Sequence, residues 1–118
     1  MLKQKKFLMA KNIVYFGEQS LFSDTLKNLI QLKGANFYDF SLWDDCAGQF
    51  SDLSPSFIFI DLDTFDPSSL SSEVEEFECV FFKSLHDEEL SWNSHFYLQN
   101  KPLEVMKFKE FLEGLLYG

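Results

Sequence analysis

Phe57-Ile58-Phe59-Ile60-Asp61 is a run of four apolar residues ended by a carboxylate, with Pro55 before it and the Asp63-Thr64-Phe65-Asp66-Pro67 turn signals after it. A short all-apolar run bounded in this way reads as a strand buried on both faces, in the middle of a parallel sheet. Asp61 then stands at the carboxyl end of that strand. In open α/β sheets this edge borders the crevice where ligands and chemistry gather, so the acid invites a functional reading.

Outward from that strand, the chain alternates between two periods. Asn12 to Phe16 is a β-rich run stopped by Gly17, and from Ser20 onward Leu21, Phe22, Thr25, Leu26, Leu29 and Ile30 recur at helical spacing as far as Gly34. Asn36 to Phe40 is a second short strand. Trp43 to Leu53 reads as a weaker helix, because Gly48 costs it about 1 kcal/mol relative to Ala. Pro67 to Glu76 has an N-terminal proline and early negative charge but few apolar anchors, so its helix is short. Cys79 to Phe82 is a fourth strand and Phe96 to Leu98 a fifth, with room for only one or two helical turns around His86 to Leu90. Leu103 to Tyr117 closes the chain as an amphipathic helix with Leu103, Met106, Phe108, Phe111, Leu112 and Leu115 on its apolar stripe. The expectation is an α/β fold, a doubly wound five-stranded parallel sheet with shortened third and fourth helical segments.

Composition limits what such a fold can do. At 118 residues the chain is expected to form one domain over 12–118, preceded by a basic leader over 1–11 whose apolar stretch is too short for a signal or spanning segment. All ten basic residues are lysines, against 19 acids, for a net charge of -9. An acidic surface repels phosphate backbones and anionic membranes, so neither nucleic acid nor membrane is an expected partner. Cys46 and Cys79 are too few for a disulfide framework or zinc cluster and read as buried thiols in a reducing compartment, the cytoplasm.

Five alternating units, an acid ending the third strand, and Lys101-Pro102 after the fifth together resemble the response-regulator receiver domain, a flavodoxin-like (CheY-like) fold, over nearly everything from Asn12 onward. The resemblance implies that Asp61 is the phosphoacceptor, that Lys101 pairs with phosphoryl oxygens, and that the Lys101-Pro102 bond is cis. It places the Mg²⁺-binding acidic pair on Gly17-Glu18, leaving Glu18 and Asp61 as metal ligands and weakening the site by one carboxylate. The family's hydroxyl position falls on Lys83 by straight counting, or on Ser84 if the strand end carries an extra residue; Lys83 in the pocket would supply a positive charge in place of Mg²⁺. Tyr97, or Phe96 if the register shifts, stands where the family has its switch aromatic, although a plain core role is favoured over it.

Each residue also has a bland reading. Asp61 as a loop cap is half as favoured as Asp61 in a pocket, Glu18 is even between a metal role and simple stabilisation near a helix start, and Asp63 reads first as a turn former. His86 and His95 lack companions at metal spacing. Asp61-Leu62-Asp63-Thr64 is similar to the first motif of haloacid-dehalogenase-type phosphatases, but that motif follows a first strand in a longer fold. The function implied is a stand-alone, non-enzymatic receiver-like signalling domain working through a protein partner, with Asp61 phosphorylated by a histidine kinase or phosphotransfer protein. The alternative is a phosphorylation-independent pseudo-receiver scaffold.

Overall fold

The apolar alternation along each strand sorts the side chains into two cores, one on each face of a sheet. A computed structural model describes residues 11–84 and 96–118. Five strands, β1 (Asn12–Phe16), β2 (Asn36–Phe40), β3 (Phe57–Asp61), β4 (Cys79–Lys83) and β5 (Phe96–Asn100), form an all-parallel sheet in the order β2-β1-β3-β4-β5. The sheet is the one expected, with β4 and β5 running one and two residues further than the apolar runs.

Ile13, Tyr15, Phe57, Phe59, Val80 and Phe82 point to one face, where they meet Leu26, Leu29 and Ile30 of α1 (Leu21–Leu32) and Phe108, Leu112 and Leu116 of the C-terminal helix α4 (Val105–Tyr117). Their neighbours Val14, Phe16, Ile58, Ile60, Cys79 and Phe81 point to the other, against Cys46 of α2 (Trp43–Ala47), Phe50 of α3 (Phe50–Leu53), Phe65 and Val74. This is the period-2 alternation of a pleated strand used on both sides. Phe82 is central to the first core, with rings of Phe22, Phe59 and Phe108 at 5.3, 5.4 and 5.9 Å. Each such pair adds about 0.5–1.5 kcal/mol beyond the area it buries.

Helix α1 starts at a capping box in which Ser20 Oγ accepts from Ser23 N–H and Ser23 Oγ from Ser20 N–H, and it stops before Gly34, whose φ of 83° suits the residue just past a helix end. Other expectations need correction. The helix read over Trp43 to Leu53 breaks into two short pieces at Gly48-Gln49, where glycine weakens the ladder. The third helical segment forms two 3₁₀ turns, Pro67–Ser69 and Ser72–Glu76, capped by Asp66 and Ser71, because its only buried apolar anchor is Val74. The C-terminal helix begins at Val105 instead of Leu103, and Met106, expected on its apolar stripe, is 70% exposed while Leu116 takes the buried position. Phe108, Leu112 and Leu116 repeat every four residues, a phase that turns Met106 outward. The fourth helical segment, with His86 and His95, and the leader up to residue 10 lie outside the described residues.

Candidate functional site

The site forms where the carboxyl ends of β1, β3, β4 and β5 meet, at the switch point created when strand order reverses between β1 and β3. Asp61 ends β3 in the same alternation as Phe57 and Phe59, so it lies on the α1 and α4 side, and it is only 1% exposed. A buried carboxylate is costly unless its oxygens are satisfied. Here four donors satisfy them. Oδ1 accepts from Lys101 Nζ at 2.8 Å and from the Asp63 N–H at 3.1 Å, and Oδ2 accepts from Thr64 Oγ1 at 3.1 Å and Tyr15 Oη at 3.4 Å. The Thr64 and Phe65 N–H groups also donate to the Asp61 carbonyl, at 3.1 and 2.9 Å, which curls the loop back over the carboxylate.

Lys101 reaches Asp61 from β5, on the far side of β4, and its backbone N–H is fixed by the Lys83 carbonyl at 3.1 Å. The peptide bond to Pro102 is cis. Its ammonium contacts three groups: Asp61, Asp63 Oδ2 at 3.1 Å, and the face of the Phe22 ring with its centroid at 4.2 Å. Asp63 in turn accepts from Ser84 Oγ at 2.7 Å through Oδ2 and from Ser84 N–H at 3.3 Å through Oδ1. Burial works against the ionised form of Asp63, but the hydrogen bonds from Ser84, with the nearby Lys101, outweigh it and lower its pKa.

The expected residues therefore separate. Asp61 and Lys101 come together, and Ser84 joins them through Asp63. Lys83 shares the alternation of Cys79 and Phe81, on the face away from Asp61. Glu18 is exposed, and what ties it to the site is its backbone N–H, which donates to Thr64 Oγ1 at 3.1 Å. Tyr97 packs its ring on Phe111 at 5.5 Å and donates its hydroxyl to Glu78 at 3.3 Å, well removed from the Asp61 carboxylate in its bonding.

Sequence reading passed over Tyr15, Thr64 and Phe22 and ranked Asp63 as a turn former. Tyr15 was findable: a polar tip in a buried strand needs a partner, and its register partner on β3 is Phe59, two residues before Asp61. Burial first, then the Asp61 charge, raises the Tyr15 pKa, so the phenol stays a neutral donor. Thr64 follows Asp61 at the spacing of a side-chain-to-turn bond.

Magnesium demands several hard oxygen ligands in octahedral array. The residues present do not fit it. Position 17 carries no side chain, and a Cβ built there would lie 2.5 Å from Tyr15 Oη and 2.9 Å from Asp61 Cβ. Tyr15 thus fills the space beside Asp61 that an acid at position 17 would enter. Among the described residues no group of three or more His, Cys, Asp or Glu side chains is arranged to hold a metal ion.

No protein-family model matches the sequence, and no curated protein matches it. Solved structures do. A two-component response regulator from Clostridium difficile superposes with a TM-score of 0.69 at 12% identity, covering 90% of this chain and 95% of that one. A response regulator receiver protein from Burkholderia phymatum gives 0.67 at 15% identity, covering 90% and 94%. The pseudo-receiver domain of the CikA protein gives 0.57 at 15% identity, covering 90% and 97%. With its five parallel strands in flavodoxin-like order and the site at their carboxyl ends, the chain has the fold of response-regulator receiver domains, pseudo-receivers included.

Proposed function

We propose that this chain is a signalling domain, spanning 12–118, that acts by docking to a protein partner while Asp61 remains unphosphorylated. One observation carries the reading: both oxygens of Asp61 are already bonded, by Lys101, Asp63, Thr64 and Tyr15, in a position 1% exposed. An attacking carboxylate needs a free lone pair and an in-line approach to the phosphoryl group. Here each oxygen would first have to shed its donors, in a site where no described residues form a group suited to the metal that would neutralise the incoming charge. Docking has support of its own. An apolar groove of about 310 Å³, lined by Leu21, Phe22, Thr25, Pro102, Leu103 and Val105, opens at the same rim. Leu21, on its wall, is 83% exposed.

The acidic surface suits a protein partner with basic residues, and the same charge disfavours nucleic acid and anionic membrane. No helix among the described residues is long and apolar enough to cross a membrane; the cytoplasm is the compartment that fits Cys46 and Cys79 as buried thiols. A non-enzymatic role is part of the same proposal, and the occupied carboxylate supports it. The phosphorelay reading, with a histidine kinase or phosphotransfer protein as partner, draws on the contact between Lys101 and Asp61 and makes the opposite prediction for one experiment. Wild type and Asp61→Asn are incubated with acetyl phosphate and Mg²⁺ and weighed intact. We expect no phosphoryl mass on either; a gain on wild type that Asp61→Asn abolishes would overturn the docking-only reading. A generic aryl phosphate in the same tube reports any phosphatase turnover.

A further inference from the structure

We propose that the Lys101 ammonium is the resident cation of this pocket, seated between Asp61 and Asp63 in place of a divalent metal, so that the site stays closed to metal as long as Lys101 is present. The proposal rests on, and deepens, the reading of Asp61 as permanently engaged. Its basis is the placement of one atom. Lys101 Nζ lies 2.8 Å from Asp61 Oδ1 and 3.1 Å from Asp63 Oδ2, and the Phe22 ring covers it at 4.2 Å. Carboxylates from the end of β3 and from the loop that follows it, the Ser84 hydroxyl 2.7 Å from Asp63, and an aromatic lid together enclose a single positive charge.

The ammonium is better suited to this seat than a metal for three reasons. It needs only two or three acceptors, whereas a divalent ion needs six or more oxygens. It arrives on a tether anchored at β5, so no ion has to be stripped of water and captured. A divalent ion entering the seat would also face the ammonium at contact distance inside a largely desolvated site, where like charges repel strongly. The side chain of Lys101 is 14% exposed, leaving little room to swing into water without uncovering two acids. Gly17 and Tyr15 complete the arrangement by removing the extra carboxylate a metal would have used.

Removing the ammonium should turn the seat into an open acidic site. The full chain is titrated with Mn²⁺ by calorimetry as wild type, Lys101→Ala, Lys101→Met and Lys101→Ala/Asp63→Asn. Wild type should show no saturable binding, both single variants should give a saturable isotherm, as expected when two carboxylates face an oxygen-seeking ion unopposed, and Asp63→Asn should abolish it. Equal binding by wild type and the single variants, or a gain that survives Asp63→Asn, overturns the proposal. Should a Lys101 variant lose its fold, Mn²⁺ must restore its far-ultraviolet circular dichroism, and failure to do so also overturns it. The failure of the docking-only reading would appear elsewhere, as phosphoryl mass on wild-type Asp61.

Discussion

Gly17→Ala should destabilise the protein, although the change adds a single methyl group and normally stiffens the unfolded chain. The new Cβ would sit 2.5 Å from Tyr15 Oη, 2.8 Å from Tyr15 Cζ and 2.9 Å from Asp61 Cβ. Neither neighbour can yield easily. Tyr15 is fully buried with its ring stacked on Phe37 at 5.6 Å, and Asp61 is pinned by its four donors. Overpacking of this kind costs about 1–3 kcal/mol, against a gain of about 0.4–1 kcal/mol from the stiffer unfolded chain. The net loss is about 0–2.6 kcal/mol, a fall in Tm of up to roughly 15 °C for a domain of this size. Tyr15→Phe removes the nearest atom and one long hydrogen bond, so alone it costs about 0.5–1.5 kcal/mol. Combined with Gly17→Ala it should cost less than the sum, with a coupling of at least about 0.5 kcal/mol. Thermal and urea melts of the wild type, two single variants and the double variant measure all four corners. Gly114→Ala is the control, because nothing lies within 4 Å of its added Cβ in the last turn of α4, and it should stabilise by up to about 1 kcal/mol. A stabilising Gly17→Ala, or strictly additive costs, would refute the claim that Tyr15 occupies the space an acid at position 17 would need.

Asp61→Asn should lower stability by about 1–3 kcal/mol in urea melts, since the amide keeps the shape but offers a donor where Lys101 or Thr64 already donates. Phe82→Ala, which empties the centre of the three-ring cluster, should cost about 3–5 kcal/mol in the same assay. The folded-state pKa of Asp63 is lowered from its ordinary value of 3.8, so its contribution is fully present above that pH and is lost as pH falls through the lower folded value; acid titration of Asp63→Asn should show a shallower loss of stability below pH 3.8 than wild type. Burial first, then the nearby Glu73 charge, pushes the Cys46 thiol up to about 11, so a disulfide reagent at pH 8 should leave Cys46 unmodified in the native protein and label it once urea is added.

The strands, their order of burial and the acid at the end of β3 were legible because a parallel sheet imposes a local signature. Phe57 to Ile60 must be apolar on both faces, and Ser20, Gly34 and Pro67 act on their immediate neighbours, so their meaning does not wait for the rest of the fold. The same locality explains the misreadings. Whether Trp43 to Leu53 holds as one helix depends on how much of it the sheet buries, and the phase of the last helix, which turns Met106 out and Leu116 in, is fixed by contact with Phe82 and its neighbours instead of by the helix alone. The pairing of Asp61 with Lys101 could be anticipated from their places at two strand ends. That Tyr15 reaches the second carboxylate oxygen, that Asp63 shares the ammonium, and that Glu18 contributes its backbone in preference to its acid were decided across gaps of 38 to 46 residues. Hydrogen bonds at such separations depend on ångström-level convergence of side chains from different strands, and no spacing along one strand encodes that.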